Sequence, residues 1–255
     1  MIIYKSLFFL ISFLLVIMPI MYGGTIDPLK PDDNYIQYGQ LKKFDSVVKL
    51  IGKYGDVTFN ASAVAIDKRV ALTAAHVVQK ASDCYLVVDN KKIKISKVLC
   101  HKDFNEHIFG VGDIAICYCD EDIGLIDFPF LYDNRDEIGK ECSISGYGIT
   151  GTFATGAKIS DGTKRAGLNN IEYIDNELLV VTPSRSTDKN YTVLEFMISH
   201  GDSGGGLFID KKLAGINSSV MAADKKTDSS YTDEGCHTRI STYAPWIQEN
   251  INYEK

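Results

Sequence analysis

The sequence lacks the features that mark several protein classes. Its 27 Lys and Arg residues are outnumbered by 33 Asp and Glu residues, and no basic stripe occurs. This argues against a nucleic acid partner. Glycine (21) and proline (6) are not enriched, and no internal repeat stands out, so neither a disordered nor a fibrous chain is indicated. Apolar residues at the spacing of a helix occur in only a small part of the chain. With 45% hydrophobic residues over 255 positions, one large β domain or two small ones are predicted.

The first residues have the pattern of an export signal. Lys5 is the only charge, and the run from Leu7 to Met21 is apolar except for Ser12 and Pro19. A positive start before such a run predicts a signal peptide over residues 1–24 and a secreted protein, extracellular or periplasmic. The alternative is an uncleaved membrane anchor, but the apolar run is short for a span of about 20 residues.

Short apolar runs separated by turn residues fill most of the remaining chain. Residues 25–43 are polar at first and predict an extended arm, and residues 148–167 predict a long surface loop. Apolar spacing from Tyr243 onward predicts a C-terminal helix over about residues 243–252. The runs are rich in Val, Ile, Tyr and Thr and predict strands in a sandwich or barrels. They lie at about 47–51, 57–59, 63–66, 70–73, 84–88, 93–98, 114–119, 142–147, 178–182, 194–198, 205–209 and 213–216.

Six cysteines occur, and export permits disulfides between them. Three bridges would allow fifteen pairings. Cys117 and Cys119 flank one residue of a predicted strand and therefore point to the same face. A metal site with nearby His101 and His107 is the less favoured interpretation, because the spacing is not that of a zinc module.

Three local motifs carry candidate chemistry. Gly201-Asp202-Ser203-Gly204-Gly205 places a serine between glycines before an apolar strand. A serine hydroxyl needs a neighbouring base and N–H groups aimed at the developing oxyanion, and a glycine turn leaves room for both. His76 ends the motif Leu72 to His76, and Asp113 precedes the apolar run Ile114 to Ile116. Alone, each of these two residues is better explained as structural.

Together the motifs resemble the trypsin/chymotrypsin family in identity and in the order His, Asp, Ser. Weaker similarity at residues 142–148, at Ser218 and at residues 237–247 extends the resemblance over about residues 44–252. It implies an all-β fold of two six-stranded antiparallel Greek-key β-barrels packed together with a C-terminal α-helix. The peptidase domain would span residues 44–255, with barrel one at about 44–132 and barrel two at about 138–242.

The resemblance also implies a mechanism. Ser203 would be the nucleophile of an acyl-enzyme pathway, His76 its general base, and Asp113 the residue that orients the histidine. The backbone N–H groups of Gly201 and Ser203 would form the oxyanion hole. No cofactor and no metal are needed.

Several departures from the family limit what can be carried over. Asn60, Val77, Ser199 and Ile209 stand where the family often has disulfide cysteines, so its disulfide set does not transfer. Typical members of the family are cut to expose an Ile-Val-Gly-Gly start, whose ammonium pairs with the aspartate before the serine, Asp202 here. No such start occurs near residues 30–35. The hypothesis is that other groups satisfy Asp202 and that no tryptic activation is needed.

Specificity follows from the residues aligned with the substrate pocket. Met197 stands six residues before Ser203, where trypsin-like members carry an aspartate. Ser218 matches the strand beside the substrate, and Val220 and Gly235 align with the two pocket walls. We therefore expect a secreted serine endopeptidase that is not Arg/Lys-specific. Its partners would be protein or peptide substrates and protein inhibitors, and it would act as a monomer. The alternative is a catalytically inactive, protease-like binding protein.

Overall fold

The computed structural model describes residues 24–252, so the predicted signal peptide lies outside the described residues except for Gly24. Within this range, no helix combines the length and apolar character needed to cross a membrane. The chain begins with strand β1 (Thr25–Ile26) and helix α1 (Asp32–Gly39), followed by a 3₁₀ turn at Lys42–Phe44. The predicted extended arm is therefore wrong for residues 32–39.

The first half forms a closed, antiparallel barrel of six strands. The barrel strands are β2 (Val47–Tyr54), β3 (Val57–Asp67), β4 (Val70–Thr73), β5 (Ser82–Val88), β6 (Lys91–Cys100) and β7 (Ala115–Cys119). They pair in the order β2-β3-β4-β7-β6-β5, and a short helix α2 (Ala75–Val78) follows β4. Their buried side chains form one apolar cluster with Phe208, Leu213 and Ile216 from the second half. The two halves thus share a packed interface.

The second half consists of two sheets. Their strands are β8 (Glu141–Gly146), β9 (Thr150–Thr152), β10 (Gly156–Ile159), β11 (Arg165–Asn170), β12 (Tyr173–Asp175), β13 (Leu178–Val181), β14 (Phe196–Met197), β15 (Gly206–Ile209), β16 (Lys212–Ala222) and β17 (Asp233–Arg239), joined by β1. The larger sheet has seven strands in the order β11-β8-β15-β16-β17-β13-β12, and the smaller has the order β10-β9-β1-β14. Helix α3 (Ile240–Asn252) ends the described chain.

The predicted all-β architecture with a terminal helix is confirmed, with differences in the second half. The described strands there form an open seven-stranded sheet and a separate small sheet, because the two-residue strand β14 pairs with β1. The stretch predicted as a surface loop, residues 148–167, contains β9, β10 and the start of β11. Gly151 and Thr152 are held by pairing with β1, and residues 165–167 are held by pairing with β8.

Candidate active site

The first barrel brings His76 and Asp113 together at one edge. Strands β4 and β7 are antiparallel neighbours, with Thr73 opposite Ala115. Residues just after β4 therefore meet residues just before β7. His76 Nδ1 lies 2.8 Å from Asp113 Oδ2, and the His76 backbone N–H donates to Asp113 Oδ1 at 2.9 Å. Both carboxylate oxygens are thus engaged by one histidine.

Asp113 is buried, with 8% of its surface exposed. Burial acts to raise its pKa, but hydrogen bonds and charge attraction from His76, together with a bond from Ser218, outweigh this effect and lower the pKa of the carboxyl. The Ser218 hydroxyl donates to Asp113 Oδ2 at 2.6 Å. Asp113 is therefore an anion fixed by three donors.

Ser203 precedes β15 and faces the same space as His76. Both line a cavity of about 350 Å³. The Ser203 hydroxyl donates to the Ser218 carbonyl oxygen at 3.3 Å, and no hydrogen bond joins Ser203 to His76 in the described part of the chain. Catalytic hydrogen bonds are often long or misaligned without substrate, and rotation about one side-chain bond redirects the hydroxyl.

The backbone N–H groups of Gly201 and Ser203 are held in fixed directions. The His200 carbonyl oxygen accepts the Ile149 N–H at 2.6 Å, and the Asp202 carbonyl oxygen accepts the Gly205 N–H at 2.8 Å. In a trans peptide the N–H points away from the carbonyl of the same unit. Both N–H groups therefore point away from these partners, and among residues 24–252 neither donates to a protein acceptor.

Ser62 of the first barrel anchors this loop. Its backbone N–H donates to the Ser203 carbonyl at 2.9 Å, and its hydroxyl donates to the Gly201 carbonyl at 3.0 Å. The same hydroxyl accepts the Tyr147 N–H at 2.9 Å. The loop position is thus set by strand β3 as well as by its own glycines.

Asp202 is fully buried beside Ser203. Its carboxylate accepts backbone N–H groups from Gly24 at 2.8 Å, Gly148 at 2.8 Å and Ser199 at 2.9 Å. Burial raises its pKa to about 6 despite these donors. No Lys, Arg or His of the described chain forms an ion pair with it. Asp202 is therefore a carboxylate with N–H partners but without a countercharge.

The four residues assigned to substrate binding divide into two pairs. Ser218 and Val220 line the cavity with Ser203. Met197 and Gly235 do not line it. A Cβ added at Gly235 would lie 3.1 Å from Met197 Cγ and 3.4 Å from Ile198 Cγ1. Met197 and Gly235 therefore adjoin each other beside Ile198, which does line the cavity.

Sequence reasoning did not assign several residues that line the cavity. Ser199 and His200 lie next to the serine motif, and Ser219 lies between Ser218 and Val220, which were assigned. Their positions in the sequence could therefore have indicated them. Thr227 comes from the segment between β16 and β17, where no motif points to it. The residues in question are Ile198, Ser199, His200, Ser219 and Thr227.

All six cysteines are free thiols. Cys117 and Cys119 are buried on β7, and burial raises the pKa of Cys119 to about 12 and that of Cys117 well above its ordinary value. Such thiols are unreactive. Within the described residues, no group of three or more His, Cys, Asp or Glu side chains is arranged to hold a metal ion.

A closed barrel packed on a second β half, with a His–Asp pair and a serine at the junction, is the architecture of trypsin-like serine proteases. The chain belongs to the trypsin family, whose model matches residues 40–247. No curated protein matches it.

Solved structures share the fold at low identity. Neuropsin, a serine protease expressed in the limbic system of mouse brain, aligns with a TM-score of 0.62 and 20% identity over 80% of this chain and 93% of its own. HL collagenase aligns with a TM-score of 0.67 and 17% identity, over 82% and 94%. A scabies mite inactivated protease paralogue, S-I1, aligns with a TM-score of 0.62 and 15% identity, over 83% and 96%.

Proposed function

We propose that the chain is an active serine endopeptidase. The observation that carries this is the His76–Asp113 pair, 2.8 Å between Nδ1 and Oδ2, bordering the same cavity as Ser203. A serine becomes a nucleophile when a base within reach removes its proton and a third group orients that base. In this proposal Ser203 is the nucleophile, His76 is the base and Asp113 is the group that orients it.

In the proposed reaction, Ser203 Oγ attacks the scissile carbonyl carbon as His76 removes the hydroxyl proton. Asp113 keeps the histidine proton on Nδ1 and stabilises the imidazolium that forms. The N–H groups of Gly201 and Ser203 donate to the oxyanion. His76 then protonates the leaving amine, and water releases the acyl group from Ser203.

We propose secretion, followed by loss of the leader. The packing of Gly24 supports a boundary before Gly24, one residue earlier than the sequence alone predicts, because Gly24 is buried and donates to Asp202. A tryptic activation cut near residue 32 has no role in this proposal. N-terminal sequencing of the exported protein tests the boundary.

The proposed substrate residue before the cut is neutral. The residues that line the cavity beside Ser203 include no aspartate or glutamate, so a cationic side chain would find no countercharge there. Proteins or peptides are the proposed substrates, protein inhibitors are proposed partners, and the chain is proposed to act as a monomer. A diverse peptide library should show no Arg or Lys preference; a strong one would contradict the proposal.

The alternative is a binding protein without activity. Its support is that the Ser203 hydroxyl bonds to the Ser218 carbonyl and not to His76. The inactivated mite paralogue illustrates that the fold alone does not prove catalysis.

A fluorophosphonate probe separates the two candidates. We expect it to label Ser203, with labelling lost in Ser203→Ala and strongly reduced in His76→Ala. Wild-type protein that folds but resists the probe would favour the binding protein.

A further inference from the structure

The backbone that presents Asp113 is a tight and unusual turn. The Gly112 carbonyl oxygen accepts the Ile114 N–H at 2.7 Å, which closes a three-residue turn centred on Asp113. Gly112 has φ +68°, and a Cβ there would lie 2.6 Å from Phe104 N and 2.8 Å from the Asp103 carbonyl carbon. Only glycine fits at position 112. Because glycine is conformationally permissive, groups outside the turn are needed to fix the peptide planes on either side of it.

Those groups come from the second half of the chain. The Gly112 N–H donates to the Tyr243 hydroxyl oxygen at 2.7 Å, and the Tyr243 hydroxyl donates to Glu177. The Gly112 N–H also donates to Glu177 Oε2 at 3.4 Å. On the other side of the turn, the Thr238 hydroxyl donates to the Asp113 carbonyl at 2.9 Å.

Tyr243 is itself firmly positioned. It is buried on α3, and its ring makes an edge contact with His101, with ring centroids 4.8 Å apart. The His101 N–H donates to the Ile114 carbonyl at 3.0 Å. Two titratable groups thus contact Tyr243: His101 at its ring and Glu177 at its hydroxyl. A displaced Tyr243 ring would lose its contact with His101, whose backbone N–H is bonded to Ile114, the residue just before β7.

A tyrosine hydroxyl has one proton and two lone pairs. Because Glu177 takes the proton, a lone pair is directed at the Gly112 N–H. Without an acceptor at position 177, the proton is free to rotate toward Gly112 and oppose its N–H. Glu177 therefore determines whether the Tyr243 hydroxyl presents a lone pair or its proton to the Gly112 N–H.

We propose that Tyr243 and Glu177 are positioning residues that hold the Gly112–Asp113 backbone so that the Asp113 carboxylate meets His76. This inference rests on the proposed peptidase function. Neither residue touches the cavity beside Ser203; both act through Gly112.

The test compares Tyr243→Phe, Glu177→Ala and Glu177→Gln in the full chain, with rates normalised to Ser203 titrated by the fluorophosphonate. Tyr118→Phe is the matched control, because the Tyr118 hydroxyl bonds to Asn250 O on the same helix at 3.3 Å and not to Gly112. Tyr243→Phe should lower kcat about tenfold or more with little change in KM, since small misplacements cost up to about a hundredfold.

Further measurements distinguish a positioning role of Tyr243 and Glu177 from a general loosening of the fold. In Tyr243→Phe and Glu177→Ala, the acid limb of the pH–rate profile should move to lower pH, because a displaced Asp113 stabilises the protonated imidazole less. Glu177→Ala should lower kcat less than Tyr243→Phe does. Glu177→Gln should stay near wild type, because its amide oxygen still accepts the tyrosine proton. Tyr118→Phe should keep both kcat and the acid limb.

Wild-type kcat and acid limb in Tyr243→Phe and Glu177→Ala would overturn the inference. Equal losses in Glu177→Gln and Glu177→Ala would overturn the orienting role of Glu177. If Tyr243→Phe fails to fold, the Glu177→Ala and Glu177→Gln comparison decides. Wild-type protein that is not labelled at Ser203 would instead refute the proposed function.

Discussion

The charge on the amino group of Gly24 should control the pH dependence of stability through Asp202. The Gly24 nitrogen lies 2.8 Å from Asp202 Oδ2. With neutral N–H and hydroxyl donors as its partners, burial raises the pKa of Asp202 from 3.8 to about 6. A difference of roughly two pKa units corresponds to about 3 kcal/mol at about 1.4 kcal/mol per unit. This is the cost of the buried anion at neutral pH.

The direction in which stability changes with pH follows from proton binding by Asp202. Between about pH 4 and pH 6 the folded chain keeps a proton on Asp202 that the unfolded chain has lost, so the free energy of unfolding decreases as pH rises through this window. A free ammonium on Gly24 would supply a countercharge at the same position. It should lower the pKa of Asp202 and recover much of the roughly 3 kcal/mol.

The assay compares two proteins that begin at Gly24 and carry Ser203→Ala to prevent self-cleavage. One has a free amino group, and the other has it acetylated. Urea unfolding at about pH 4 and pH 7 should show a larger loss of stability for the acetylated form. Glu195 titrates equally in both forms, so its contribution cancels when the two proteins are compared. In the Asp202→Asn variant, the difference between the free and the acetylated protein should disappear. Identical pH dependence in the two forms would refute the reasoning.

Four further outcomes are expected. Burial raises the pKa of Glu195 to about 7, so wild type should lose stability as pH rises from about 5 to 7, and Glu195→Gln should reduce that slope in urea unfolding. Arg239→Leu should cost about 3–5 kcal/mol by the same method, because Glu137 is fully buried and bonded to Arg239 at 2.6 and 2.8 Å; a loss below about 1 kcal/mol would contradict this. Gly112→Ala should abolish peptidase activity even where circular dichroism shows a folded protein, because the Asp113 turn has no space for a Cβ. Dithiothreitol should leave the melting temperature unchanged, because all six cysteines are free; a marked decrease would reveal a disulfide.

Strands with strong local apolar patterns could be predicted, whereas elements held by distant partners could not. The predicted run at residues 70–73 coincides with β4 (Val70–Thr73), whose four residues are all buried. Helix α1 has a weak pattern of its own. It is fixed by Arg165, whose fully buried guanidinium donates to both oxygens of Asp32 at 2.6 Å. No local pattern can report a partner 133 positions away.

The same distinction applies to the candidate site. His76, Asp113 and Ser203 lie in recognisable motifs because each follows or precedes a strand with a clear pattern. Ser62 and Tyr243, which hold the serine loop and the aspartate turn, lie within an ordinary strand and an ordinary helix. Their roles follow from strand order and barrel closure, which bring the two halves together. Sequence reasoning therefore found the three candidate catalytic residues but not the residues of distant elements that hold their loops.

Buried carboxylates hold the loops around the site of this disulfide-free chain. Asp202 binds the N–H of Ser199, where the family often has cysteine; Glu195 binds two N–H groups of residues 184 and 192; and Asp233 binds those of residues 229 and 230. A disulfide acts mainly by restricting the unfolded chain, whereas these carboxylates act in the folded chain through charge-assisted bonds. Burial raises the pKa of all three. The order of these loops is therefore linked to pH through the three carboxylates.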